Sequence, residues 1–223
     1  MKETADGLKE ANGLKEKEDL KGNPASGQDL DVEEAIRILQ DVSPDRKTFE
    51  IVLNHAEAVR KVAVRIADAI NRNSGSTGAH ADMKTVKIGA LLHDIGRFRH
   101  PPGPGSVLHG IAGAEMLRGI AERETDAKRK AALEKYARIA ERHLGAGITK
   151  EDIEEQNLPL PKKDYLPETL EEKIIAYADN LIAGTEEKDF DYVVRRFRKE
   201  LNEKVVERFV RLHNELSALM KKQ

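Results

Sequence analysis

The adjacent pair His93-Asp94 closes MKTVKIGALL, a stretch made largely of apolar and small residues. An ionised carboxylate on so apolar a segment is costly to bury unless something pairs with it. Asp179 poses the same problem within IIAYADNLI, and His55 shares a helical apolar stripe with Val52 and Val59. A cation shared among these side chains is the simplest answer. Imidazole and carboxylate donors together suit iron, manganese, cobalt, nickel or zinc, whereas an all-oxygen magnesium site would leave the histidines idle. Each residue also has a plainer reading. A lone buried His or Asp is more often a hydrogen-bonding core or capping group, and His55 alone reads as a satisfied core histidine. It is the set that points to a metal.

Composition narrows the alternatives. The chain has no cysteine, which excludes disulfides, Cys-ligated zinc and iron–sulfur sites and thiol nucleophiles. Aromatic residues make up 4%, Trp is absent and the net charge is −2, so neither a base-stacking platform nor a general pull towards polyanions is expected and nucleic acid is disfavoured as a partner. A local basic patch could still hold one phosphate group. Residues 1–29 have no apolar core of the signal-peptide kind, and no apolar run approaches the roughly 20 residues of a membrane helix. The expectation is a cytoplasmic protein without a membrane partner. No Walker A motif or dinucleotide fingerprint occurs.

The elements that must position these residues read as helices throughout. Apolar residues at 39% beside charged residues at 35% suit amphipathic helices with charged outer faces, and 223 residues suffice for one sizeable core. Residues 1–29 read as a polar tail, disordered or weakly helical, and residues 30–223 as one helical domain. DVEEAIRILQDV begins with an Asp cap, and Ser43-Pro44-Asp45 ends that helix and starts another running to about Arg72. NRNSGSTGAH reads as a plain loop. A short apolar helix follows, ending at Gly96. PPGPG (101–105) is a rigid break before a helix from about Ser106 to Ile120, and a further helix runs from about Asp126 to His143. Residues 149–157 read as one or two turns, and LPLPKKDYLP as extended loop. Thr169 with Glu172 forms a capping box before LEEKIIAYADNLIAG. Over about 187–221 a single stripe carries Phe190, Val194, Phe197, Leu201, Val205, Leu212 and Leu216. No stretch shows convincing strand alternation, so the fold class is all-α.

In order, His55, GALLHDIGR (89–97) and KIIAYADNLI (173–182) resemble the HD superfamily of metal-dependent phosphohydrolases, with the HDIG variant present as His93-Asp94-Ile95-Gly96. The resemblance covers roughly residues 45–185 and is closest to small stand-alone archaeal HDIG proteins, whose relatives are sometimes fused to a tRNA ribose methyltransferase. It implies an HD-type helical bundle with His55, His93, Asp94 and Asp179 as ligands of one metal. His109, in HGIAGAEML, and His143, in ERHLGAG, resemble the extra histidines of binuclear members, with Asp94 bridging to a second ion. Their plainer readings are a helix-start residue and a C-terminal cation favoured by the helix dipole. One or two divalent ions per chain are therefore expected.

The reaction implied is hydrolysis of a phosphomonoester or phosphoanhydride, in a small molecule such as a nucleotide, by metal-activated water. Asp94 and Arg97 are the candidate catalytic residues. Arg97 directly follows the HDIG element, where relatives often carry Lys, and would hold the phosphate. Arg99, His100 and Asn180 are further candidates for substrate binding, each with a solvated-residue alternative. Arg142 and Lys150 rank below them, and neither His80 nor His213 is expected to bind metal. The alternatives are a mononuclear nucleotidase, a non-catalytic metal-containing sensing or scaffold module, and a helical adaptor whose C-terminal stripe pairs with another chain, for example in a homodimer.

Overall fold

In the computed structural model residues 30–221 are described; the reading of residues 1–29 as a tail lies outside them. Among the described residues the chain is all-α, with ten α-helices and one small hairpin. Helix α1 (Val32–Val42) is capped by Asp31, whose carboxylate accepts from Glu34 N, and α2 (Arg46–Arg72) by Asp45, which accepts from Thr48 N. The Ser43-Pro44-Asp45 junction thus works as read. On α2 the buried positions Val52, Ala56, Val59, Val62, Ala63, Ile66, Ala67 and Ile70 repeat every three to four residues. That stripe faces the core.

Within NRNSGSTGAH, read as loop, one short helix forms: α3 (Ser74–Thr77), closed by left-handed Gly78. Helix α4 (Met83–Leu92) packs on α1 and α2 and buries seven of its ten residues. A helix apolar nearly all round is one enclosed by others. It ends at Leu92 rather than Gly96; His93 is its cap, and Ile95–Phe98 tightens into a 3-10 turn. A second 3-10 turn, Ser106–Leu108, precedes α5 (His109–Arg123), which packs along α6 (Ala127–Arg142). Helix α7 (Lys150–Glu155) and α8 (Leu170–Asn180) both begin with complete capping boxes, from Thr149 and Thr169.

Two departures follow from local chemistry. After Asn180 the chain does not continue as helix through Gly184. It folds into a hairpin, β1 (Ile182–Ala183) against β2 (Glu186–Glu187), around Gly184 at φ 67°; left-handed glycine suits such two-residue turns. The C-terminal stripe is likewise not one helix. It divides into α9 (Phe190–Glu200) and α10 (Glu203–Met220), because Asn202 caps α10 through Val205 N. Leu201, placed on the buried stripe from the sequence, is 47% exposed at the break.

The main apolar cluster runs from Leu30 to Leu216 and includes residues of α1, α2, α4, α5, α6, α8, α9 and α10. A smaller one, Ile153, Leu160 and Tyr165 with Val107, Leu108, Ile111, Ile148 and Leu158, ties the 148–165 segment to the start of α5. None of the described helices is long and apolar enough to cross a membrane.

Candidate metal centre

The centre is built at helix ends. The last turn of a helix leaves backbone carbonyls without intrahelical donors, and three histidines use theirs in the same way. His93 caps α4 with Nδ1 2.7 Å from Ala90 O. His143 caps α6 with Nδ1 2.8 Å from Ala140 O. His109 closes the Ser106–Leu108 turn with Nδ1 2.5 Å from Ser106 O. The fourth, His55 in mid-α2, finds its carbonyl across the fold: Gly184 O in the hairpin turn, 2.8 Å away. In each case a carbonyl can only accept, so Nδ1 carries a proton and Nε2 is the nitrogen left to face the site.

The four Nε2 atoms converge on two carboxylates. Asp94 divides its oxygens: Oδ1 lies 3.0 Å from His109 and 3.5 Å from His143, and Oδ2 lies 3.6 Å from His55 and 4.0 Å from His93. Asp179 Oδ1, from the end of α8, is 3.0 Å from His55 and 3.5 Å from His93. Overlapping groups of possible ligands result. His55, His93, Asp94 and Asp179 offer four donors, and His109, His143 and Asp94 offer three. Ligand atoms within each of three groups (His55, His93, Asp94; His93, His143, Asp179; Asp94, His109, His143) lie within 4.8 Å of one another, and the second group crosses between the other two.

The donor set fits cations on the site's own geometry. His93 Nε2 is buried without a hydrogen-bond partner, and its nearest carboxylate oxygen stands 3.5 Å away. His109 and His143 bring their Nε2 atoms to 2.9 Å of one another. Two lone pairs facing at that distance require positive charge, either a proton or a metal ion. The electrostatics agree. Burial would raise the Asp94 carboxyl, but the imidazoles of His93, His109 and His143 that face it hold it well below the usual carboxylate range. Asp179 is likewise lowered: burial opposes, and the His55 hydrogen bond together with the imidazoles of His93 and His55 facing it prevails. His143, wholly enclosed, is pushed down to about 4 by burial, against the pull of Asp94. Burial alone would lower His55 too, but Asp179 and Asp94 outweigh it and carry the group up to about 9.

Gly96 lets the element close. A Cβ there would stand 1.9 Å from His109 O and 2.6 Å from Gly113 N, so only glycine allows the HDIG turn to seat against α5. Gly147, at φ 90°, is similarly crowded by Leu166.

The other sequence candidates fall into separate places. Arg97 lies at the centre, its Nε 3.2 Å and 3.4 Å from the two Asp94 oxygens and its Nη1 2.5 Å from Ser106 Oγ. Arg99 is exposed, 3.9 Å from Glu115, and His100 is half-buried after the turn. Asn180 is neither solvated nor facing the ligands through its amide nitrogen, which donates to Gly145 O and Ala176 O at 2.7 Å each and ties α8 to the end of α6. Arg142 is engaged by Glu168 and by Leu166 O, and Lys150 is exposed. His80 is exposed, and His213 lies in an aromatic cluster away from the ligands.

Sequence reasoning missed Ser106 and the anchoring carbonyl of Gly184. A signal existed for the helix-end histidines: His93 and His143 each precede a glycine, Gly96 and Gly145, within three residues, which marks a helix end with free carbonyls.

A family model described as HD domain matches residues 52–184. An uncharacterized protein of Methanocaldococcus jannaschii is 41% identical over 86% of this chain and 100% of that protein. Proteins named tRNA (cytidine(56)-2'-O)-methyltransferase, from Picrophilus torridus and Thermoplasma volcanium, are 38% and 37% identical over 85% and 77% of this chain, which spans 47% and 43% of their own lengths. No solved structure matches.

Proposed function

The chain belongs to the HD-domain family, and from that premise we propose that it is a metal-dependent phosphohydrolase acting on a phosphomonoester or phosphoanhydride, with a nucleotide as the preferred class of substrate. The observation that supports this reading most is the division of Asp94. One carboxylate turns its two oxygens to two different histidine pairs, the arrangement a bridging ligand needs. His55, His93, Asp94 and Asp179 would hold one divalent ion, and His109, His143 and Asp94 a second, drawn from Fe, Mn, Co, Ni or Zn.

When bound, such ions would acidify water and polarise phosphoryl oxygens. The chain supplies the rest. Its main-chain carbonyls fix the tautomer and direction of every imidazole, as outer partners do in metal sites generally. His109, His143 and Asp94 would give a second ion three protein donors, fewer than the four offered by His55, His93, Asp94 and Asp179. Arg97 brings a planar cation to the edge of the centre, suited to a phosphoryl group gaining charge. No side-chain nucleophile is required.

The test is elemental mass spectrometry on chain purified without chelator or metal-affinity steps, followed by a phosphate-release screen with the metal found. About two ions per chain and turnover of a phosphoester support the reading. About one ion favours the mononuclear nucleotidase, and none after anaerobic reconstitution sinks the proposal in favour of a helical binding module.

The names of two relatives favour a second reading, in which the phosphoester is carried by tRNA. Phosphate release from intact tRNA, compared with free nucleotides, separates the two.

A further inference from the structure

The exposed proline–glycine segment at residues 101–105 delivers one residue to the centre, Ser106, which is neither a ligand nor a charge. Gly103 at φ 132° and Gly105 at φ 77° take conformations that favour glycine and turn the chain back on itself. Ser106 N donates to Gly103 O at 3.0 Å, and Leu108 N to Gly105 O at 3.0 Å. On the other side Val107 and Leu108 are anchored in the small cluster around Ile153, Leu160 and Tyr165. Ser106 is therefore held from both directions.

Both of its oxygens meet the site. The main-chain carbonyl accepts from His109 Nδ1 at 2.5 Å, and Oγ accepts from Arg97 Nη1 at 2.5 Å. Arg97 Nε is meanwhile turned to Asp94, at 3.2 Å and 3.4 Å. A guanidinium has five N–H donors in a fixed plane. With Nε directed at Asp94 and Nη1 at Ser106, Nη2 is left without a partner among the described residues, on a side chain 23% exposed. The serine thus decides which edge of the guanidinium is available to an incoming anion. Without Oγ, Arg97 is free to rotate onto Asp94 and pair with both its oxygens, which spends the same fork on the bridging carboxylate.

We infer that Ser106 is a positioning residue: it holds Arg97 so that its outer edge binds the phosphoryl group of the substrate, while its carbonyl orients His109. This rests on the hydrolase reading but is tested apart from it.

The experiment is calorimetric titration of inorganic phosphate into the metal-loaded full chain, with KM and kcat measured on whichever phosphoester is cleaved. Ser106→Ala keeps the carbonyl, so the metal content and the melting temperature should match the unsubstituted chain. Phosphate affinity should fall about five- to tenfold, and KM should rise by the same factor with kcat less affected. Ser106→Thr, which retains a hydroxyl, should restore binding. In an Arg97→Ala background Ser106→Ala should add nothing, the signature of one residue acting through another. Unchanged phosphate affinity in Ser106→Ala overturns the inference. So does an equal further loss without Arg97, a loss of metal on removing the hydroxyl, or an unsubstituted chain that binds no phosphate. If the loaded chain binds phosphate through Ser106 yet cleaves no phosphoester, it is the hydrolase reading that falls.

Discussion

His213 and the four histidines of the centre are all packed among other side chains, yet their two ring nitrogens meet different things. His213 shares a hydrogen bond with the Tyr177 hydroxyl at 2.6 Å through Nδ1 and lies 3.4 Å from Ser217 Oγ through Nε2. Its ring rests 4.0 Å from that of Phe190. Both edges have hydroxyl partners that can donate or accept, so the group is satisfied in place. At the centre each Nδ1 is committed to a backbone carbonyl, and each Nε2 is aimed with its neighbours at one small volume. Burial does not separate His213 from the four histidines proposed as ligands. Asymmetry between the two nitrogens does, because a ring nitrogen fixed in direction and facing others of its kind calls for a proton or a metal ion.

The hardest blow to that distinction is dealt at Asp94. Asp94→Asn keeps the shape and removes the charge shared by both subsites, so the chain should lose both ions and at least about a hundredfold in turnover. His109→Ala should leave about one ion, while His213→Ala should leave the full complement despite removing a packed imidazole. Elemental mass spectrometry beside phosphate release reads all three. A loss of metal in the His213 variant equal to that in the His109 variant would erase the difference between the two regions.

Two glycines sharpen the same contrast in packing. An alanine at Gly96 would drive Cβ against His109 O, a backbone atom with little room to yield. Gly96→Ala should cost about 3 kcal/mol and weaken metal retention through His109. Gly119 lies on α5, the same helix as His109, and a Cβ there would meet nothing within 4 Å. Gly119→Ala should instead stabilise by about 0.5–1 kcal/mol. Denaturant melts of the two variants give the comparison directly.

How far the sequence foretold these regions depends on whether side chains or backbone did the work. His55, His93, Asp94, His109, His143 and Asp179 are conspicuous because charged or imidazole groups stand among apolar ones, and the structure brings all six together. The Asp and Thr caps were equally legible, since a cap is a side chain with a position. The anchors of the imidazoles were not, because a carbonyl from Ala90, Ala140 or Gly184 carries no mark in the residue's identity. The hairpin at 182–187 was hidden for a related reason: only two residues per strand leave no alternation to read. Leu201 continued an apolar period that Asn202 interrupts by capping the next helix, a case of local hydrogen bonding overriding the pattern.

Acidity offers a smaller, graded test on the metal-free chain. His143 has its folded value lowered to about 4, so the stability it contributes is present above its ordinary value near 6.5 and is lost as pH falls towards 4. His55 has the opposite sign. Raised to about 9, it contributes stability that is present below about 6.5 and is lost as pH rises through 9. Metal-free protein should therefore be most stable near neutrality and weaken on both sides. As a ligand His55 would give up that proton in exchange for the ion, so metal affinity should climb between about pH 6.5 and 9 with protons released. A flat affinity across that range would show that His55 is not a ligand.

The mildest change falls at the satisfied histidine. Tyr177 is buried on α8, two residues before Asp179, with its hydroxyl pushed up to about 12 by burial. Tyr177→Phe removes one side of the bond to His213 and nothing that faces the centre. Stability should drop by about 1 kcal/mol, the net worth of one hydrogen bond with its partner left half-exposed. Metal content should not change, even though the substitution is on the helix that carries Asp179. Were the ion count to fall with it, the aromatic cluster of α8, α9 and α10 would be part of what aims Asp179, and the two kinds of histidine would belong to one coupled network instead of two independent ones.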